Sequence, residues 1–423
     1  MNIIHGDCLE ELKKLEDNSV DAVITDPPYG LSNTKPAQVA DVLKAWVTGD
    51  TVSVPAKRGG FMGKDWDSFV PPPAVWEECM RVLKPGGHMA VFAGARTQDL
   101  MGLSIRLAGF EIRDTLGWVY GSGMPKSHNI SKAIDKAAGA EREVIGQDRN
   151  FGVTTAADGK AAFGDYAGSW DITAPATSEA QRWDGWGTAL KPAIEPIILA
   201  RKPLDGTVAN NVLAHGVGGL NIDACRVGTK VEGTRTNGSA NDIYGDLSYT
   251  AGETWEPSAA GRFPANVLLD EHAAKEMDKQ SGVQKDGIHV GRNRSVGDAM
   301  GGFDGGWKKD TRDVGYRGEG GACRFFPVFK YQAKAPKKER PVIEREDGTK
   351  IQHNTVKPLA LMEWLVSLIV PPGGVVLDPF AGSGTTLQAA LNKGFTPIGI
   401  EQDADYIKLI EKRLEGTCTT HKS

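Results

Sequence analysis

Asp26-Pro27-Pro28-Tyr29 sets a carboxylate, two prolines and an aromatic ring directly after the apolar run Val20 to Ile24 and just before Gly30. Proline fixes φ and carries no backbone donor, so this turn is rigid and its carbonyls are aimed. Asp26 accepts hydrogen bonds, and the Tyr29 ring offers a flat stacking face. A slot with these walls fits a planar, amino-bearing base. The same four residues also make an ordinary strand-ending turn, since Asp-Pro and Pro-Pro pairs punctuate many chains.

A second motif bears on the choice. Leu377-Asp378-Pro379-Phe380-Ala381-Gly382-Ser383-Gly384-Thr385-Thr386 follows the run Gly374 to Val376 and leads into a helical pattern from Leu387 to Leu391. It reads as strand, tight glycine turn, helix. Gly382 and Gly384 let backbone approach a ligand closely, and the helix N-terminus beyond them is electropositive. The spacing is not the Gly-x-Gly-x-x-Gly of dinucleotide enzymes.

Together the two stretches resemble the amino-group DNA methyltransferases that use S-adenosyl-L-methionine, in the beta-class order with the catalytic Asp-Pro-Pro-Tyr first and the Phe-x-Gly-x-Gly loop last. The resemblance implies catalytic roles for Asp26, Pro27, Pro28 and Tyr29. It implies cofactor contacts from Asp378 and Phe380 at the methionine part and from the loop Ala381, Gly382, Ser383, Gly384 and Thr385. Gly6-Asp7-Cys8-Leu9 matches the family's adenine-binding stretch, which adds Asp7 and Cys8; Asp7 also suits the N-cap of a following helix. In His353-Asn354-Thr355-Val356-Lys357-Pro358, Thr355 and Lys357 fall beside the methionine end in relatives, although Lys357 also reads as a surface lysine. Glu401, at the end of the strand Pro397 to Ile400, suits the ribose hydroxyls, with Gln402 beside it; its plainer reading is a helix N-terminal acid.

The elements that must position these residues follow from periodicity. Strands are expected at residues 2–5, 20–25, 88–94, 110–120, 194–200, 374–378 and 396–400, with helices between them. Seven strands match a Rossmann-like α/β class I methyltransferase sheet, circularly permuted and carrying a large irregular target-recognition insertion. The expected division is a catalytic half over 1–120, an insertion over 121–191 and a last strand at 192–202. A target-recognition region over 203–350 and a cofactor half over 351–423 complete it. Residues 30 to 70 read as a long loop with Lys35, Lys57, Arg58, Lys64 and Trp66, and Lys84-Pro85-Gly86-Gly87 as a helix stop. The inserts are rich in Gly, with Trp170, Trp183, Trp186, Trp255 and Trp307 as expected aromatic anchors. Gly216 to Asp223 and Gly261 to Val267 resemble stretches of phage and prophage modification methylases.

Charge and composition narrow the partners. The net charge of −5 argues against a simple polyanion binder. Between residues 285 and 340, however, thirteen basic residues face seven acidic ones, with Phe303, Trp307, Tyr316, Phe325, Phe326 and Tyr331 interleaved. That local excess suits phosphate contacts on double-stranded DNA, or simply a solvated basic face. Five scattered cysteines form no Cys-x-x-Cys pair, so neither a disulfide framework nor a zinc site is expected. No run of about 18 apolar residues occurs, so a cytoplasmic, nucleoid-associated protein with no membrane partner is expected. A homodimer and a partner restriction endonuclease are compatible with this order of motifs.

The expected reaction is direct methyl transfer to an exocyclic amine, without metal or covalent enzyme intermediate. The target atom is shielded within the duplex, so the base must be flipped into the slot. In the family resembled, an initial Asp in the motif goes mostly with adenine N6 and Ser more often with cytosine N4, so the resemblance implies adenine N6 over cytosine N4. Methylation of RNA or a protein glutamine, and a catalytically silent DNA-binding regulator, are the other readings.

Overall fold

The computed structural model describes residues 2–32, 34–55, 67–121, 123, 127–148, 170–228, 235–236, 254–255, 261–285, 289–292, 309–314, 319–329, 339–345, 347–353 and 355–415. They group into two compact units, one of residues 1–121 with 194–423 and one of residues 122–193.

The first unit is built on a nine-stranded sheet. Its strands are β1 (Asn2–His5), β2 (Val20–Thr25), β3 (Leu83–Phe92), β4 (Glu111–Val119), β5 (Ile194–Arg201), β6 (Val267–Asp270), β7 (Val328–Phe329), β8 (Val375–Asp378) and β9 (Thr396–Glu401). They lie in the order β1-β9-β8-β2-β3-β5-β4-β6-β7. All neighbours are parallel except β5, which runs against both β3 and β4. All seven expected strands are therefore present, but the sheet holds two more. Val267–Asp270 joins β4 and the two-residue Val328–Phe329 joins Val267–Asp270. Both runs are too short to display a period of two in the sequence.

Circular order is visible in the pairing. The last strand, β9, lies between β1 and β8, with Asn2 opposite Ile398 and Leu377 opposite Ile398 on the other side. β8 then pairs with β2, Leu377 opposite Val23. The chain thus returns to insert its final βαβ segment beside its first strands. The central strands are mainly apolar, as burial on both faces favours: every residue of β2 is buried, and its polar Asp21 and Thr25 are hydrogen-bonded to Lys84, Val375 N and Asp378.

Helices cover both faces. On one side Pro73–Val82 buries Trp76, Cys79 and Val82 against β2 and β3. On the other, Leu359–Ile369 buries Met362, Leu365, Val366 and Ile369. Pro358 precedes this helix as its N-cap.

Three local expectations are corrected. The stretch 30 to 70 is not simply a loop, for Pro36–Val47 is a twelve-residue helix. Its Val42 and Trp46 are buried, and Trp46 packs edge-on to Phe69; the Gly- and Lys-rich flank masked this short apolar stripe. Lys57, Arg58, Lys64 and Trp66 lie outside the described residues. Lys84-Pro85-Gly86-Gly87 is not a stop between elements: the helix ends at Val82 and β3 begins at Leu83. Gly86 takes φ +77 there, a left-handed value that only glycine adopts cheaply. In the segment 203–350, finally, Val208–His215 and Glu271–Ser281 are helices. The second is capped by Asp270, whose Oδ1 accepts from Ala273 N at 2.6 Å. Most of the basic stretch 285–340 lies outside the described residues.

The second unit contains a helix (Ile130–Ala137), an antiparallel pair (Val144–Asp148 with Trp170–Thr173) and a short helix (Ser178–Arg182). Asp135, fully buried, accepts from Arg142, Thr177 Oγ1 and the Ala176 and Thr177 amides, so the charge is paired and its lone pairs are used. Trp183 and Trp186 do not serve as buried anchors. They are 44% and 59% exposed and stack edge to face on each other at 5.0 Å.

Candidate active site

A parallel sheet presents loops at the carboxyl ends of its strands. Here three adjacent strands carry acids to that edge: Glu401 closes β9, Asp378 closes β8 and Asp26 follows β2. The reversed strand β5 begins at the same edge, which brings Glu195 there from its amino end.

Around Asp26 the structure builds a part-buried polar network. The Tyr29 hydroxyl donates to Asp26 Oδ1 at 2.8 Å, and Lys357 Nζ lies 2.9 Å from Asp26 Oδ2. Lys357 also donates to Tyr29 Oη at 3.0 Å and reaches Glu195 Oε2 at 3.1 Å. Its ammonium sits over the Tyr29 and Phe92 rings, 5.3 Å and 4.9 Å from their centroids. Lys357 is therefore not a surface lysine. Burial alone pushes its pKa down, but Asp26, Glu195 and Tyr29 more than reverse this and hold it well above the ordinary lysine value. Burial, then the charge of Asp26, drives the Tyr29 phenol well up, so it stays protonated and donates.

Backbone anchors keep the motif rigid. Asp67 Oδ1 accepts from the Tyr29 and Gly30 amides at 2.7 Å and 3.0 Å, and Thr97 Oγ1 donates to Tyr29 O at 2.6 Å. Pro27 is buried and Pro28 half-buried. Gly30 sits at φ +68, and a Cβ there would meet Val70 N at 2.7 Å, so no other residue fits this turn without moving backbone.

The glycine loop after β8 is braced from three sides. Thr25 Oγ1, at the end of β2, donates to Asp378 Oδ1 at 2.7 Å, and Phe380 N donates to the same oxygen at 3.1 Å. This bond ties the two sequence motifs together. Burial raises the Asp378 pKa to about 6, opposed by the hydrogen bonds from Thr386, Thr25 and Phe380 N. Phe380 lies against Trp76, 6.3 Å between ring centroids. Ala381 N donates to Ile400 O, and Gly382 N donates to Glu401 Oε2 at 2.8 Å. Ser383 is buried, and its carbonyl and hydroxyl both accept from Arg413. Gly382 and Gly384 take φ +55 and +78. A Cβ on Gly382 would come within 3.0 Å of His353 Nε2, so the loop needs the bare backbone.

Asp7 and Cys8 arrive at this edge through β1. Gly6 N donates to Glu401 O, and His5 Nε2 lies 3.1 Å from Gln402 O. Asp7 is exposed and does cap the first helix, accepting from Leu9 N at 3.0 Å and Glu10 N at 3.3 Å. Burial raises the Cys8 thiol to about 12, so it is no nucleophile. Burial likewise raises Glu401 to about 7, opposed by the amides of Asp403 and Gly382. Thr385 is buried in the first turn of its helix, while Thr355 is exposed, with its amide 3.4 Å from His353 Nδ1. Residue 354 lies outside the described residues. His353 stacks edge-on to Tyr406 at 4.8 Å, and burial, then Lys357 and Arg413, lowers its pKa to about 4.

Sequence reasoning missed Glu195, Thr25, Asp67 and Thr97. For Glu195 one signal was available, a lone acid in the apolar run Ile194 to Ala200.

The part-buried cluster of Asp26, Lys357 and Tyr29 thus lies beside a braced glycine turn at one sheet edge. The family profile for N6 and N4 methylases, described as DNA methylase, matches residues 20–412. The chain belongs to this DNA methylase family. The protein is accordingly a DNA methyltransferase. The chain is similar over 97% of its length, at 23% identity, to the type II methyltransferase M.HindIII of Haemophilus influenzae, of which 94% is covered. Shorter segments are more alike. It is 46% identical over 63 residues to the DNA adenine methyltransferase YhdJ of Escherichia coli, 15% of this chain and 21% of that protein. It is also 46% identical over 77 residues to the type II methyltransferase M.HinfI of Haemophilus influenzae, 18% of this chain and 21% of that one.

Proposed function

We propose that this DNA methylase transfers a methyl group from S-adenosyl-L-methionine to the N6 amine of adenine at one recurring site in duplex DNA. The observation that carries the reading is the Thr25–Asp378 hydrogen bond, which locks the Asp26 slot to the glycine loop at one sheet edge. An adenine methyltransferase among the relatives, and the initial Asp of the motif, support adenine over cytosine N4.

The loop fits the cofactor: two left-handed glycines leave its backbone bare, and an acid closes the neighbouring strand. Gly382, Ser383, Gly384 and Thr385 would hold it with Asp378, Phe380 and Ala381 at the methionine part, and Asp7, Cys8, Glu401 and Gln402 at the nucleoside part. Thr355 and Lys357 would close the methionine end. When bound, it supplies an electrophilic methyl group on a sulfonium. The protein does the rest by positioning. Asp26 accepts one amine N–H and the Pro27 carbonyl region the other, which turns the amine lone pair toward the methyl donor. Each Asp26 oxygen keeps a second lone pair for this beside its bond to Tyr29 or Lys357. Tyr29 stacks on the flipped base.

A role for Glu401 at the ribose has a pH signature. The ionised carboxylate is the stronger acceptor for the ribose hydroxyls, and burial raises its pKa to about 7. Affinity for S-adenosyl-L-methionine therefore rises with pH up to about 7 and levels above it. Calorimetry of Glu401→Gln is expected to give a flat profile and binding weaker by about tenfold, the worth of a charged hydrogen bond. A profile that stays pH-dependent in this variant contradicts the assignment.

Target recognition is assigned to residues 203–350 with their basic stretch, and the division into catalytic and cofactor halves follows the two motifs. No helix among the described residues is long and apolar enough to cross a membrane. The reading includes a cytoplasmic, nucleoid-associated location, a homodimer and a partner restriction endonuclease; the type II relatives support the DNA substrate. Expression in a methylation-deficient bacterium, followed by single-molecule sequencing of its genome, tests the reading. Modified adenines within one short motif are expected; modified cytosines, or no modified base, overturn it.

A further inference from the structure

Both Asp26 oxygens are already engaged within the protein, Oδ1 by the Tyr29 hydroxyl and Oδ2 by Lys357. An amine that donates to Asp26 must share it with these two groups. Glu195 changes that competition. Its Oε2 lies 3.1 Å from Lys357 Nζ and 3.5 Å from Tyr29 Oη, so it is a second acceptor for the same two donors. The side chain is 27% exposed, against 11% for Lys357, so it borders the slot. Strand direction explains the placement: β5 runs opposite to its neighbours, and its amino end meets their carboxyl ends, with Glu195 opposite Trp118.

We infer that Glu195 is a positioning residue for methyl transfer: it shares Lys357 and the Tyr29 hydroxyl with Asp26, and so leaves Asp26 able to accept the target amine. The inference rests on the role proposed for Asp26. Two carboxylates share one ammonium here, so the cluster retains one negative charge facing the slot. With a single carboxylate, the ammonium closes on Asp26 and neutralises its charge, so Asp26 accepts the target amine less strongly. In a part-buried setting that pair is strong, since screening by water is weak. Glu195 draws the ammonium to a point between two acids, where neither pair is closed.

The test is single-turnover transfer of labelled methyl groups to mixed-sequence genomic DNA. Glu195→Gln preserves size and one acceptor but removes the charge. It is expected to lower the transfer rate by about 10- to 100-fold, less than the roughly 10²- to 10³-fold of losing a group that meets the reacting atoms, while affinities for S-adenosyl-L-methionine and DNA are unchanged. Glu195→Asp restores part of the rate. In a Lys357→Met background the Glu195→Gln change adds little, because residues acting through one another are not additive. Additive losses, or equal losses of binding and rate, overturn the inference. A second readout needs no turnover. Competitive acetylation of Lys357 at high pH, read by mass spectrometry, is expected to be slow in the unmodified protein and faster in Glu195→Gln, which removes one of the ammonium's two counter-charges. Equal labelling contradicts the shared ammonium. If the unmodified protein methylates no DNA, the role of Asp26 fails, and the labelling still decides whether Glu195 holds Lys357.

Discussion

Asp26→Ala is expected to lower methyl transfer by about 10³-fold or more, the scale of losing a preorganised group that meets the reacting atoms, while S-adenosyl-L-methionine still binds. The separation follows from geometry. Asp26 belongs to the turn after β2, and its partners are Tyr29 and Lys357. The glycine loop is braced instead by Thr25, Glu401 and Arg413, none of which the substitution removes. The fold should survive as well. Asp26 is 21% exposed, and Lys357 retains Glu195 as its counter-charge. Asp26→Asn keeps the shape but replaces one acceptor with a donor, so a similar loss of transfer is expected. Parallel single-turnover and calorimetric measurements check both variants, and an equal loss of binding and transfer contradicts the role given to Asp26.

Asp378→Ala should do the reverse, abolishing cofactor binding and costing stability. Its carboxylate is 2% exposed and accepts from Thr25 Oγ1 and Phe380 N, with Thr386 as a third donor. Removing it leaves buried donors unsatisfied, each at a cost of about 1–3 kcal/mol. A total of about 3–5 kcal/mol is expected from denaturant titration, near the upper end for single substitutions. The loop loses its tether to β2 at the same time, so Gly382 and Gly384 no longer hold a fixed turn. Asp378→Asn keeps an acceptor for Thr25 and should recover much of the stability. A stable Asp378→Ala protein that binds S-adenosyl-L-methionine normally contradicts the bracing role.

These two residues were legible in the sequence because each sits in a contiguous motif at a strand end. Local signals also located the seven expected strands, among them the fully buried β2. What joins distant stretches was not legible. Lys357 reaches Tyr29 across 328 residues and Glu195 reaches it across 166, and nothing in their own neighbourhoods specifies the meeting. It is the reversed direction of β5 that delivers Glu195, a property of topology and not of composition. Val328–Phe329 escaped because two residues carry no period, and Pro36–Val47 because its stripe is embedded in a Gly- and Lys-rich flank. Trp183 and Trp186 misled for a related reason: large aromatic residues are usually buried anchors, yet this pair packs on itself and stays open to solvent.

The most direct measurement of the central claim is a nucleoside analysis. The protein is incubated with unmethylated duplex DNA and S-adenosyl-L-methionine carrying a deuterated methyl group. The DNA is then digested and the nucleosides are identified by mass spectrometry. The account predicts deuterated N6-methyladenosine in the deoxy series, and none from the Asp26→Ala protein. N4-methylcytosine as the labelled product would contradict the assignment of the base, and labelled product from Asp26→Ala would contradict the slot itself.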